Sequence, residues 1–177
     1  MRSSRDPKEI LELDVRRRIF DIVRSFAGCH LREIQRSARL SFGSASYHLS
    51  YLEKHHLIKA EKYGKHVRYF SQDVSADDGQ LLSLLRQKSV RSILVFLVLH
   101  EGCTHQEIVS ALGLSASTIT WHVKKLLDAR IVAVRTRGKF NSYSLIVPKE
   151  RIMTLLISYK ESFLDKLVDG LIDAWER

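Results

Sequence analysis

The chain has 177 residues, 29 Lys+Arg against 20 Asp+Glu, a formal charge of +9 and 45% hydrophobic residues. That balance describes a soluble, well-cored protein with a polyanionic partner, and the length allows one or two small domains. Two cysteines exclude a disulfide-built fold and a four-cysteine zinc site, and the longest apolar run, Ile93 to Leu99, is far short of the ~20 residues of a membrane span. The N-terminal MRSSRDPKEILELDVRRR has no secretory apolar region, so the expected location is cytoplasmic.

An internal repeat organises the rest. Residues 28–70 align with 102–144 at a constant offset of 74, and 11 of the 43 positions are identical. The identities are Gly28/Gly102, Cys29/Cys103, Glu33/Glu107, Ile34/Ile108, Leu40/Leu114, Ser41/Ser115, His48/His122, Leu52/Leu126, Gly64/Gly138, Lys65/Lys139 and Tyr69/Tyr143. One inserted residue extends the match back to Val15-Arg16 and Val90-Arg91.

In chain order, Asp14 is expected to cap a helix with apolar face Val15, Ile19, Ile22, Val23 and Phe26, ended by Ala27-Gly28. A short helix follows over Leu31 to Ala38. Ser41 then caps a third, Phe42 to Lys54, with Ala45, Leu49 and Leu52 inward. Leu57 to Tyr63 and His66 to Phe70 alternate as strands around a Gly64-Lys65 turn. Leu81, Leu82, Leu84 and Leu85 form a stripe read as a helical linker leading by helix into Val90. The second copy predicts helices Val90 to Leu99, Thr104-capped His105 to Leu112 and Ser115-capped Ala116 to Leu127. Strands Ile131 to Arg137 and Phe140 to Ile146 follow, around Gly138-Lys139. After Pro148, Ile152, Leu155, Leu156, Tyr159, Phe163, Leu167, Leu171 and Trp175 recur at helical steps, which predicts one long amphipathic helix.

The expected fold is mainly α with small β-hairpins, divided as a first domain over 1–74, a helical linker over 75–89, a second domain over 90–147 and a C-terminal helix over 148–177. The charge concentrates in the two repeats. Residues 15–73 carry 12 basic and 5 acidic side chains, for +7, and residues 90–147 carry 7 and 3, for +4.

Three helices, a capped third one and a basic hairpin give the order of a winged helix-turn-helix. LREIQRSARLSFGSASYHLSYLEKHHLI and THQEIVSALGLSASTITWHVKKLLDARIV both resemble the core of the arsenic-repressor (ArsR) and multiple-antibiotic-resistance (MarR) types of winged-helix regulator. The tandem arrangement looks most like the two-winged-helix regulators of archaea. The resemblance implies a sequence-selective, double-stranded DNA-binding transcriptional regulator, nucleoid-associated, with third helices in the major groove and wings on phosphates.

Helical periodicity sorts the outward residues. On the first third helix they include Ser44, Ser46, Tyr47 and Ser50; on the second, Ser117, Thr118, Thr120, Trp121, Lys124 and Lys125. Neither set contains an Arg, the commonest guanine reader, so phosphate and shape contacts should carry much of the affinity. The wing cations are Lys62, Lys65 and Arg68 in the first copy and Arg135, Arg137 and Lys139 in the second. Arg36 and Arg39, and Arg16 to Arg18 on the first helix, are further candidates for phosphate. Other readings are a tandem winged-helix protein-interaction module of a polymerase or chromosome assembly, or a low-specificity chromatin-like architectural DNA binder.

No phosphate loop, serine elbow or HExxH motif is present, so no enzymatic activity is expected. No cofactor and no metal are expected, because Cys103-Thr104-His105 and His55-His56 lack further ligands in sequence. His48 and His122 are read as half-buried, hydrogen-bonded structural side chains, and Cys29 and Cys103 as buried thiols. A homodimer is expected, with the C-terminal helix as its seam. Operator, sign of regulation and any small-molecule effector are not legible.

Overall fold

A computed structural model of the protein describes residues 6–138, 140–163 and 166–175, with the side chains of Arg137, Lys166 and Leu167 outside that set. The expected contacts of Lys139 and of the Arg137 side chain, and the Leu167 place in the C-terminal stripe, therefore lie outside the described residues. The chain forms two compact units, 1–83 and 84–177.

In the first unit α1 (Pro7–Leu11), α2 (Asp14–Ser25), α3 (Leu31–Ala38) and α4 (Phe42–Lys54) lead to the hairpin β1 (Ile58–Tyr63) and β2 (His66–Ser71), followed by α5 (Ala76–Leu85). The second unit runs α6 (Lys88–Leu99), β3 (Cys103–Thr104), α7 (His105–Leu112), α8 (Ala116–Asp128), β4 (Val132–Arg137), β5 (Phe140–Leu145), α9 (Lys149–Ser158) and α10 (Lys166–Trp175). Ile19, Val23, Ile34, Leu49, Leu52 and Ile58 close the first core. Ile93, Leu94, Leu97, Ile108, Ile119, Val123 and Leu126 are buried in the second. Apart from Ile58 on β1, these are the inward positions of helices with a 3.6-residue period. The structure is thus mainly helical with small antiparallel hairpins, two winged helix-turn-helix domains in tandem.

The repeat identities sit where the backbone is most constrained. Gly28 and Gly102 have φ of 77° and 75°, left-handed values that let the chain turn sharply out of α2 and α6. Gly64 and Gly138, each at φ 61°, open two-residue hairpin turns. Cys29 and Tyr69 form an isolated antiparallel bridge, and Cys103 and Tyr143 repeat it as part of the β3–β5 pairing in a sheet of order β3-β5-β4. Thr104 and Glu107 make a full capping box on α7. His30 does the same for α3, its Nδ1 accepting from the Glu33 amide at 3.1 Å.

Three expectations need correction. Asp14 is the first residue of α2, not its cap; Leu13 holds the cap position and makes no side-chain capping bond. The stripe at Leu81 to Leu85 does not run by helix into Val90: α5 ends at Leu85 and α6 starts at Lys88. Most of α5 falls within the first unit, and the offset of 74 carries Leu81 and Leu82 onto Leu155 and Leu156 of α9, all four buried. The repeated unit therefore includes a helix after each wing. Finally, the C-terminal segment is two helices. α9 ends at Ser158, a short 3-10 turn spans Lys160–Ser162, and α10 follows. Ile152, Leu155, Leu156, Phe163 and Leu171 of the stripe are buried, Tyr159 is half-buried and Trp175 is exposed, so the stripe is not one continuous outward seam. Arg91 meets the chain after the break. Its guanidinium donates to the Leu85 carbonyl at 2.6 Å and the Phe163 carbonyl at 3.4 Å, and stands 5.3 Å from the Phe163 ring.

Candidate nucleic-acid interface

Ser41 and Ser115 start α4 and α8 in the same way. Each Oγ accepts the backbone N–H three residues on, from Ser44 and from Thr118, both at 3.2 Å. This fixes the register of both helices, so Tyr47 and Trp121, equivalent in the repeat, both project outward at 60% and 58% exposure. Each ring meets the following histidine edge-on, Tyr47 with His48 at 5.1 Å and Trp121 with His122 at 4.8 Å between centroids.

The sequence-predicted residues divide into free and engaged ones. On α4, Ser50 is exposed while Ser44 and Ser46 are half-buried. On α8, Ser117, Thr120, Trp121 and Lys124 are exposed and Thr118 is half-buried. The hydroxyls of Ser117 and Thr118 lie 3.0 and 2.8 Å from Ser115 Oγ, and Thr120 Oγ1 donates to the Ala116 carbonyl while facing His105 Nε2. Lys125 is committed within the unit: its Nζ donates to Gln87 Oε1 at 2.8 Å and sits 3.5 Å from the Trp121 ring centroid. Burial lowers its pKa below the usual lysine value. One face of Trp121 is thus covered by an ammonium, which leaves its edge and outer surface to a partner.

The wings behave similarly. Lys62, Lys65 and Arg135 are exposed, as are Arg36 and Arg39, the latter in a left-handed conformation (φ 53°) where the second copy has Gly113. Arg68 is not free. Its Nη1 donates to the Gly28 carbonyl at 2.6 Å, tying β2 to the α2–α3 turn beside the Gly28–Tyr69 and Tyr69–Cys29 backbone bonds. Arg16, a phosphate candidate by charge, instead lies half-buried with its guanidinium 3.8 Å from the Tyr51 ring centroid.

His48 and His122 depart from expectation. Their Nδ1 atoms are buried without a hydrogen-bond partner. Desolvation, with Arg16 near His48 and Lys125 near His122, pushes both pKa values down, so both rings are neutral at pH 7. Burial, helped by the Glu107 charge, pushes the Cys103 thiol up to about 11. Among the described residues no group of three or more His, Cys, Asp and Glu side chains is placed to hold a metal, and no helix is long and apolar enough to cross a membrane.

Charge counting overlooked Phe140. It is 72% exposed at the tip of the second wing, where the first copy has His66. The available signal was an apolar residue at the position where a strand leaves the Gly-Lys turn.

These two units, each a capped helix beside a glycine-turned wing, define a tandem winged helix-turn-helix protein. A family profile described as an N-terminal HTH domain matches residues 13–82, and one described as a winged helix-turn-helix DNA-binding domain matches residues 86–133. The chain is similar to an uncharacterized HTH-type transcriptional regulator of Methanocaldococcus jannaschii, 32% identical over 133 residues that make up 75% of this chain and 34% of that protein. It spans about a third of that relative's length.

Proposed function

We propose that the protein is a double-stranded DNA-binding transcriptional regulator that places α4 and α8 in the major groove and rests its wings on the flanking phosphates. The observation that carries this reading is the repeated pair of serine-capped helices, which present exposed Tyr47 and Trp121 at the same register, α4 exposing Phe42 as well, each beside a wing opened by a left-handed glycine. Tyr47, Ser50, Ser117, Trp121 and Lys124 face base edges and groove walls. Lys62, Lys65, Arg36, Arg39 and Arg135 meet phosphate. The small hydroxyls permit close approach of the helix backbone, and the absence of an outward arginine on both helices makes base discrimination modest.

Selection of bound duplexes from a random pool, followed by salt titration of the binding constant, tests this. The expected outcome is an enriched motif and a steep inverse salt dependence. Lys62→Ala with Lys65→Ala reduces the salt slope by about 1.8, at ~0.9 per phosphate contact, on every sequence alike. Trp121→Ala redistributes preference among sequences and leaves the slope in place. Binding that ignores salt, or no duplex binding at all, defeats the reading. It would favour the protein-interaction module, which the exposed aromatics and Arg-poor helices also suit.

A further inference from the structure

The two wings use the same face differently. In the first, strand alternation and the pairings Tyr63↔His66 and Glu61↔Arg68 put these four residues on one face of the hairpin. Behind the exposed His66 tip that face is partly covered. The Tyr63 hydroxyl bonds to Glu61 and reaches the Ala76 carbonyl at the start of α5, and a Cβ built on Gly79 would lie 2.7 Å from the hydroxyl oxygen. A glycine at 79 lets the helix lie this close.

In the second wing the equivalent positions are Arg135, Arg137, Phe140 and Ser142. The pairing Arg135↔Ser142, with Phe140 two residues before Ser142 on the same strand, puts Phe140 and Arg135 on one face. Both are exposed, and the Phe140 ring touches no other ring or cation among the described residues. A phenyl ring at a hairpin tip, with a guanidinium behind it on the same face, has the makeup of a minor-groove wedge: the cation is drawn to the groove's negative potential and the ring slides between unstacked base pairs.

We infer that Phe140 is a wedge that the second wing inserts into the minor groove, with Arg135 holding the phosphate beside it. The second domain then kinks the duplex, while the first, with cationic Lys62 and Lys65 on its wing, clamps it without kinking. The inference rests on the DNA-binding reading above and deepens it. Bending should favour sites with a pyrimidine–purine step under the second wing, because those steps unstack most easily.

The test uses the full chain and end-labelled duplexes carrying a selected site. End-to-end energy transfer at saturating protein reports the bend, and salt-dependent binding is measured on the same duplexes. The wild type is expected to bend the site by roughly 20–90°, and Phe140→Ala to remove most of that bend while keeping the salt slope. Phe140→Leu, still an apolar wedge, retains the bend, and so does His66→Ala in the other wing. Because Phe140 is exposed, circular dichroism of Phe140→Ala should match the wild type, which shows that the variant folds. A bound but straight duplex with wild type, or an equal bend with Phe140→Ala, overturns the wedge and leaves the DNA-binding reading standing. Absence of duplex binding overturns both.

Discussion

Arg68 offers the sharpest test of how far charge can be read as a DNA contact. By composition it is one of the wing cations, yet the structure spends its guanidinium on the Gly28 carbonyl at 2.6 Å, across 40 residues of chain. Arg68→Ala removes a charge-assisted hydrogen bond of about 1.5–3 kcal/mol and leaves the carbonyl of a sharp turn without that donor. For a unit of this size each kcal/mol moves the melting temperature by roughly 4–8 °C, so the first unit's transition should fall by about 6–24 °C. Calorimetry of the full chain is the suitable assay, since two units need not melt together and a shift confined to one transition locates the damage. Salt titration of duplex binding, done well below that transition, should give a slope within ~0.3 of wild type. Lys65→Ala should do the reverse, leaving the melt unchanged and lowering the slope by about 0.9. If Arg68→Ala melts like the wild type while its salt slope drops by about 0.9, Arg68 is a phosphate ligand and the tie to Gly28 contributes little.

Two further outcomes follow from perturbed side chains. With its pKa at about 11, Cys103 is thiolate to only about three parts in ten thousand at pH 7.5. A disulfide reagent should therefore modify it slowly in the native protein and rapidly once urea unfolds the chain; fast native reaction would contradict the burial. His48 and His122 have depressed pKa values when folded, so on acidification the unfolded chain takes up protons first, below its ordinary value of 6.5. The histidine contribution to stability is complete above pH 6.5 and declines as pH falls toward the depressed native values. Denaturant midpoints at pH 7.5 and 5.5 should show this loss, and His122→Phe should flatten it; a midpoint rising on acidification would reverse the sign of the argument.

What could be read from the residues and what could not separate along a physical line. Gly28, Gly64, Ser41, Ser115 and Thr104 were legible because each answers a local demand, a left-handed φ or an orphan helix N–H, that few residue types meet. His30 answers the same demand with a ring nitrogen in place of the usual oxygen, so its capping box was not anticipated. The break at Tyr159 carries no local marker, since SYKESFLDK contains neither Pro nor Gly and the apolar spacing runs through it. Just beyond it the chain meets a distant partner, since Arg91, 72 residues away, donates to the Phe163 carbonyl at 3.4 Å. Arg16, Arg68 and Lys125 have internal partners that charge alone does not reveal, for a related reason. Charge counting records that a cation exists, but a long side chain chooses its partner in three dimensions, here Tyr51, Gly28 and the Gln87–Trp121 pair.

The same reasoning explains why the two halves need not act alike although their backbones repeat. At the Tyr51/Lys125 position the first copy puts an aromatic under Arg16, and the second puts a lysine over Trp121. At the Arg68/Ser142 position the first copy adds a side-chain tie from its wing to the Gly28 turn, while the Ser142 hydroxyl donates to the Arg135 carbonyl at 3.2 Å within the hairpin. At His66/Phe140 a polar tip becomes an apolar one. Each change keeps the glycines, caps and core that set the fold and alters only what projects from it. At the exposed wing tip, His66/Phe140, such divergence costs little stability, because exposed positions away from caps and special turns tolerate substitution within about 0.5 kcal/mol; at the half-buried Tyr51/Lys125 and Arg68/Ser142 positions each copy has had to supply its own internal partner.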